Sequence, residues 1–143
     1  MKFLIINGPN MNLLGTREPE VYGRQDYAAL CRYLTDYAAA HGDAVDFMQS
    51  NHEGALIDAI QAAQGTYDGM VINPAAYTHY SYAIHDALRA VAVPAVEVHL
   101  SDIHQREPWR AVSVTAPACI GSIIGHGFAG YAQAMELLKE HLQ

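Results

Sequence analysis

Hydrophobic positions along the chain alternate between two spacings. Short apolar runs at Phe3-Leu4-Ile5-Ile6, Ala44-Val45-Asp46-Phe47-Met48, Met70-Val71-Ile72, Ala95-Val96-Glu97-Val98 and Cys119-Ile120-Gly121-Ser122-Ile123-Ile124 predict five strands. Elsewhere apolar residues recur every three or four positions. Tyr27, Leu30, Cys31, Leu34 and Ala38 mark one helix, Leu56, Ile57, Ile60 and Ala63 a second, and Ile84, Leu88 and Val91 a third. Phe128, Tyr131, Met135, Leu138 and Leu142 mark a helix that closes the chain. Ser50-Asn51-His52-Glu53 has the form of a capping box for the second helix, and Ser81 suits the N-cap of the third. Such alternation gives a parallel sheet covered on both faces, for which a flavodoxin-like strand order, 2-1-3-4-5, is the economical choice.

The connections are unequal. Those after the second, third and fifth strands are short or ordinary, whereas the first runs from Gly8 to about Gln25 and the fourth from His99 to about Ala118. Loops this long in a compact domain are usually functional. Doubly wound sheets bind ligands beyond the carboxyl ends of their strands, where the strand order reverses. That crevice falls between the first and third strands, so the chemistry is expected in the loops after strands one, three and four.

Composition narrows the classes. A chain of 143 residues, 51% hydrophobic and 16% charged, is expected to form a single domain over residues 1–143. Its net charge of −7 argues against a nucleic-acid partner, and an anionic ligand would have to be held by a few well-placed arginines. The apolar run at the N-terminus is too short for a signal peptide, and no stretch has the length of a membrane span. Cys31 and Cys119 make no disulfide framework and read as buried thiols of a reducing cytoplasm.

Three constellations carry candidate chemistry. The first loop bears Arg17 and Tyr22. A tyrosine, with a reference pKa near ~10, serves as a base only if a cation stabilises its phenolate, and Arg17 could do so. Leaving the third strand are Asn73, at the switch point, and His79, a residue that by itself is more often a hydrogen-bonded structural histidine than a catalyst. At the carboxyl edge of the fourth strand stands His99, where a general acid or base would belong. The backbone N–H groups of Leu100 and Ser101 precede a short helical turn and could bind a carboxylate. Of Arg106 and Arg110, spacing does not say which points inward and which pairs with Glu107 or Asp102. Two motifs are decoys. Gly125-His126-Gly127-Phe128-Ala129-Gly130 matches a dinucleotide fingerprint but lacks the following strand and acidic residue, so its glycines read as close helix–strand packing. The eight histidines include no metal-ligand spacing, and His41, His126 and His141 read as surface or packing residues.

Taken in order, several blocks resemble the type II 3-dehydroquinate dehydratase family over nearly the whole chain. These are Asn7-Gly8-Pro9-Asn10 with Arg17 and Tyr22-Gly23, Gln49-Ser50-Asn51-His52-Glu53-Gly54, Asn73-Pro74-Ala75-Ala76-Tyr77-Thr78-His79, Asp86-Ala87-Leu88 and Glu97-Val98-His99-Leu100-Ser101. The resemblance implies a cytoplasmic lyase that removes water from 3-dehydroquinate through an enolate, in the shikimate pathway of aromatic amino acid biosynthesis or in quinate catabolism. It implies no cofactor or metal and no membrane or nucleic-acid partner, and a homododecamer built from trimers. By the same resemblance Tyr22 is the base, Arg17 stabilises its phenolate, Asn10 helps hold a water against the enolate oxygen and His99 is the general acid. Asn73, His79, Leu100, Ser101 and Arg110 would bind substrate, and Asp86 would reach a neighbouring subunit's site. Departures from the family pattern are His85 for an arginine, Asp102 for a frequent asparagine, and the bulky Tyr80 and Tyr82. They bear on the subunit contact around Asp86 and on the charge near the carboxylate anchor. A binding or signalling module of the same fold is the alternative, although Asn7-Gly8-Pro9-Asn10 offers neither the acids of a phospho-receiver nor the phosphate loop of a flavin carrier.

Overall fold

The computed structural model describes residues 1–16, 20 and 25–143; Arg17 and Tyr22 lie outside the described residues. Five strands, β1 (Lys2–Asn7), β2 (Ala44–Gln49), β3 (Gly69–Asn73), β4 (Ala95–His99) and β5 (Gly121–Ile124), form a parallel sheet in the order β2-β1-β3-β4-β5. Among the described residues four longer helices cover it: α1 (Tyr27–Ala40), α2 (Glu53–Ala62), α3 (Tyr82–Ala90) and α4 (Phe128–Leu142). The flavodoxin-like order expected from the pattern is the order found. Register runs Asn7 to Gln49 on one side and Asn7 to Asn73 on the other, so the ends of β1, β2 and β3 finish level.

Alternation within the strands builds two cores. Phe3, Ile5, Val71, Val96 and Val98 point to the face packed by Leu30 and Leu34 of α1 and by Tyr131, Met135 and Leu138 of α4. Leu4, Ile6, Met70, Ile72 and Ala95 point to the opposite face, against Leu56 and Ile60 of α2 and Ile84 and Leu88 of α3. Between β1 and β3 the backbones nearly touch. The Gly8 N–H donates to the Asn73 carbonyl at 2.8 Å, and a Cβ on Gly8 would stand 2.3 Å from the Pro74 carbonyl oxygen, so only glycine fits.

Some local expectations are corrected. Ser50 and Glu53 do not form a capping box. His52 is the N-cap of α2 without a side-chain cap, Ser50 Oγ accepts from the His52 N–H, and Glu53 instead accepts from Ser81 Oγ at 2.6 Å. The tertiary partner wins because it also fixes the entry to α3, where Ser81 caps the Ile84 N–H as expected. β5 begins at Gly121, later than its apolar run, because Ala116–Ala118 forms a 3-10 turn that Cys119 closes. Of the three motif glycines only Gly130 serves helix–strand packing, against Ile123 and Val98; Gly125 and Gly127 have positive φ and shape the turn into α4. Cys31 and Cys119 are half-buried free thiols, and burial pushes Cys119 up to about 12.

A polar thread crosses the first core. Tyr131, fully buried on α4, donates its hydroxyl to Asn7 Oδ1 at 2.6 Å and accepts from Asn73 Nδ2 at 3.0 Å. It thereby ties the last residues of β1 and β3 to the closing helix. Tyr131→Phe keeps the ring and strands two buried amides, so a loss of about 1–3 kcal/mol is expected in urea unfolding. A Tyr131→Phe protein as stable as the parent would contradict this.

Candidate active site

A cavity opens at the carboxyl edge of the sheet, beside the β1–β3 switch. Asn10, Asn73, His79, His99, Leu100, Ser101 and Arg110 all line it, so seven of the residues singled out from the sequence converge there. Met11, Leu14, Ile103 and Ala76 supply apolar wall. Arg106 lines it together with Arg110, which answers the question that spacing left open: both arginines face the cavity. Asp86 does not. It is exposed on α3, away from this chain's cavity.

The backbone of the wall is held in uncommon conformations. Asn10 (φ 69°) and Ala75 (φ 55°) both lie in the left-handed region, unusual for residues other than glycine. Each is secured by an amide side chain: the Asn10 N–H donates to Asn51 Oδ1 at 3.0 Å, and the Ala75 N–H to Asn73 Oδ1 at 3.1 Å. Asn73 is thus committed on both ends of its amide, to Ala75 and to Tyr131.

His99 closes β4, and Glu97, two residues earlier on the same face of the strand, receives its Nε2–H at 2.9 Å. Both side chains are buried. Ser113 Oγ donates to the same carboxylate oxygen at 2.7 Å, Thr115 Oγ1 donates to the other, and Thr78 Oγ1 sits 2.8 and 2.7 Å from these two hydroxyls. Burial works against ionising Glu97, but the hydrogen bond and charge of His99 and the donors Thr115 and Ser113 outweigh it, holding the carboxyl below its ordinary range. An ionised Glu97 fixes the His99 proton on Nε2 and leaves Nδ1 as the ring nitrogen for a ligand. Glu97 was missed in the sequence reading, yet its signal is present: an acid two residues before a strand-end histidine must share its face.

His79 is oriented differently. Its Nδ1–H donates to the Val112 carbonyl at 2.7 Å, and burial, helped by the neighbouring Arg110, lowers its pKa against the opposing pull of that hydrogen bond, favouring the neutral ring. Nε2 is then an acceptor, suited to a ligand hydroxyl. Two departures from the family pattern have local uses. Asp102 accepts from the His104 N–H and caps the turn Ile103–Gln105, and His85 donates Nδ1–H to the Val114 carbonyl at 2.8 Å. Tyr80 and Tyr82 are exposed. Both lysines lie at the amino edge: Lys2 Nζ is 3.4 Å from Asp46, and Lys139 Nζ donates to Asp43 at 2.7 Å. Among the described residues no helix is long and apolar enough to cross a membrane.

Fold and site together define an α/β protein of the flavodoxin-like class whose crevice combines two histidines, one of them backed by a buried glutamate, with two arginines. The family model for class II dehydroquinase matches residues 1–139. The 3-dehydroquinate dehydratase of Clostridium acetobutylicum is 54% identical over 142 residues, 99% of each chain. Crystal structures of type II dehydroquinases from Butyrivibrio crossotus and Propionibacterium acnes superpose with TM-scores of 0.95 and 0.93, at 50% and 38% identity, over 97% of this chain and 97% and 96% of theirs. The chain belongs to the class II dehydroquinase family.

The Glu97 geometry predicts a pH signature in stability. A carboxyl whose folded value is depressed stabilises the fold above its unfolded value and loses that contribution as pH falls through the folded value. Glu97→Gln should therefore be less stable than the parent at pH 7, with the gap narrowing below roughly pH 4. Urea unfolding at both pH values measures it; a gap that stays constant with pH would show that Glu97 is not held ionised.

Proposed function

We propose that this protein is a 3-dehydroquinate dehydratase that forms 3-dehydroshikimate by way of an enolate. The observation that carries the reading is the crevice itself, lined by Glu97-backed His99, His79 and Arg110. It is supported by full-length similarity to relatives bearing that name. A proton beside a ketone is weakly acidic, so the reaction needs a base, stabilisation of the enolate oxygen and an acid for the departing hydroxyl.

In this reading Tyr22, as phenolate stabilised by Arg17, removes the proton, and Asn10 helps hold a water at the enolate oxygen. His99 protonates the leaving hydroxyl, returning to the Nε2–H form against Glu97. Arg110 and the backbone of Leu100 and Ser101 take the substrate carboxylate, while His79 accepts from a hydroxyl and Asn73 orients the wall. Asp86, exposed on α3, serves a neighbouring subunit of a trimer-based dodecamer, and the enzyme works in the cytoplasm. A Schiff-base route has no candidate among the two lysines, since strands of five or six residues separate the amino edge from the crevice by roughly 15–20 Å.

The primary test follows conjugated-enone absorbance on addition of 3-dehydroquinate; absence of signal from folded protein would end the reading. Tyr22→Phe should lower turnover by at least about a hundredfold without unfolding the protein. His99→Ala should slow elimination while solvent exchange beside the ketone continues; an equal fall in both would move His99 to the first step. Borohydride added with substrate should leave activity intact and no mass adduct, and a lysine adduct would refute the enolate route.

A further inference from the structure

Trp109 is the chain's single tryptophan, and more than half of it is exposed, at 53%. It sits in the turn Pro108–Ala111 and touches two cavity-lining residues at once. The Arg110 Cζ lies 4.1 Å from the centre of its ring, and the His79 ring meets it edge-on, at 5.1 Å and 87°. We propose that Trp109 is a positioning residue for substrate binding, holding Arg110 and His79 in the orientations that receive an anionic, hydroxylated ligand. For the identity of that ligand the inference rests on the dehydratase reading.

The argument is geometric. A guanidinium carries five N–H donors, and its contact with the indole is made through the ring's π face, 4.1 Å from Cζ, which accepts no conventional hydrogen bond. Glu107 engages Nε, so neither contact uses the Nη donors, which stay available to a carboxylate. The Glu107 carboxylate shares Arg110 with any incoming anion, whereas the neutral indole restrains the side chain without adding a second negative charge. His79 is fixed at two points, by the Val112 carbonyl through Nδ1 and by the indole at the ring, leaving Nε2 as acceptor. In a chain of net charge −7, long-range attraction of an anion is weak, and prepaid orientation of the few cations matters more.

The test is a double-mutant cycle of Trp109→Leu and Arg110→Ala, with Trp109→Phe as the conservative variant. KM for 3-dehydroquinate and calorimetric Kd for quinate, a non-reacting carboxylate, are read alongside kcat. Trp109→Leu should raise KM and Kd together by about five- to thirtyfold, the range of a partly desolvated cation–π contact, with kcat within about twofold. Trp109→Phe should recover most of the affinity, and in the Arg110→Ala background Trp109→Leu should cost clearly less than in the parent, the remainder acting through His79. Equal behaviour of the Leu and Phe variants, additive effects in the cycle, or a fall in kcat at constant KM would each overturn the proposal. Quinate affinities that follow this pattern across the variants, with no turnover by the wild-type protein, would sustain this inference while sinking the dehydratase reading.

Discussion

The buried carboxylate of Glu97 constrains everything assembled at the carboxyl edge of β4. An ion taken out of water costs several kcal/mol unless its partners replace the lost hydration. Here the replacements come from three separate parts of the chain: His99 from the same strand, Ser113 and Thr115 from the long return segment, and Thr78 behind them from the turn after β3. The segment from Val112 to Thr115 therefore has to pass close under the 3-10 turn at Ala75–His79, and further hydrogen bonds keep it there, from the Val114 N–H to the Thr78 carbonyl and from His79 and His85 to its own carbonyls. Housing one charge dictates the path of the loop that carries the cavity's arginines.

The end of the β1–β3 switch is organised by a second polar element. Asn7 and Asn73 end neighbouring strands, and Tyr131 bridges them from the far helix. Because Asn73 spends its oxygen on Ala75, it also stabilises a left-handed alanine in the cavity wall, a conformation that would otherwise cost of order 1 kcal/mol or more. The site's lining is thus coupled to the packing of α4. Buried amides and a phenol used in this way confer a single geometry more than they confer stability.

Much of the fold was legible because its signals are periodic. Strand runs and helical stripes specify faces, and Leu4 against Ile5, or Met70 against Val71, announce a sheet covered on both sides. What was illegible depended on partners distant in sequence. Glu53 looked like half of a capping box until Ser81, 28 residues on, claimed it. Gly125 and Gly127 looked like packing glycines because a one-dimensional motif carries no φ. In the site, the strand-end position of His99 and the switch-point position of Asn73 could be inferred from topology. The inward direction of Arg106 and Arg110 could not, since it is decided by how the loop is drawn under the Thr78 turn. Glu97 sat in plain view inside an apolar run, where its neighbours' hydrophobicity disguised it.

The placement of the two lysines has a practical side. Lys2 and Lys139 stand together at the amino edge, Lys2 beside Asp46 on β2 and Lys139 beside Asp43 at its entry, while the cavity opens at the other end of the strands. Reagents that attach to side-chain amines would accordingly mark the edge of each chain opposite its crevice. A fluorophore or affinity tag placed there would leave the cavity's side chains in the same chain unmodified.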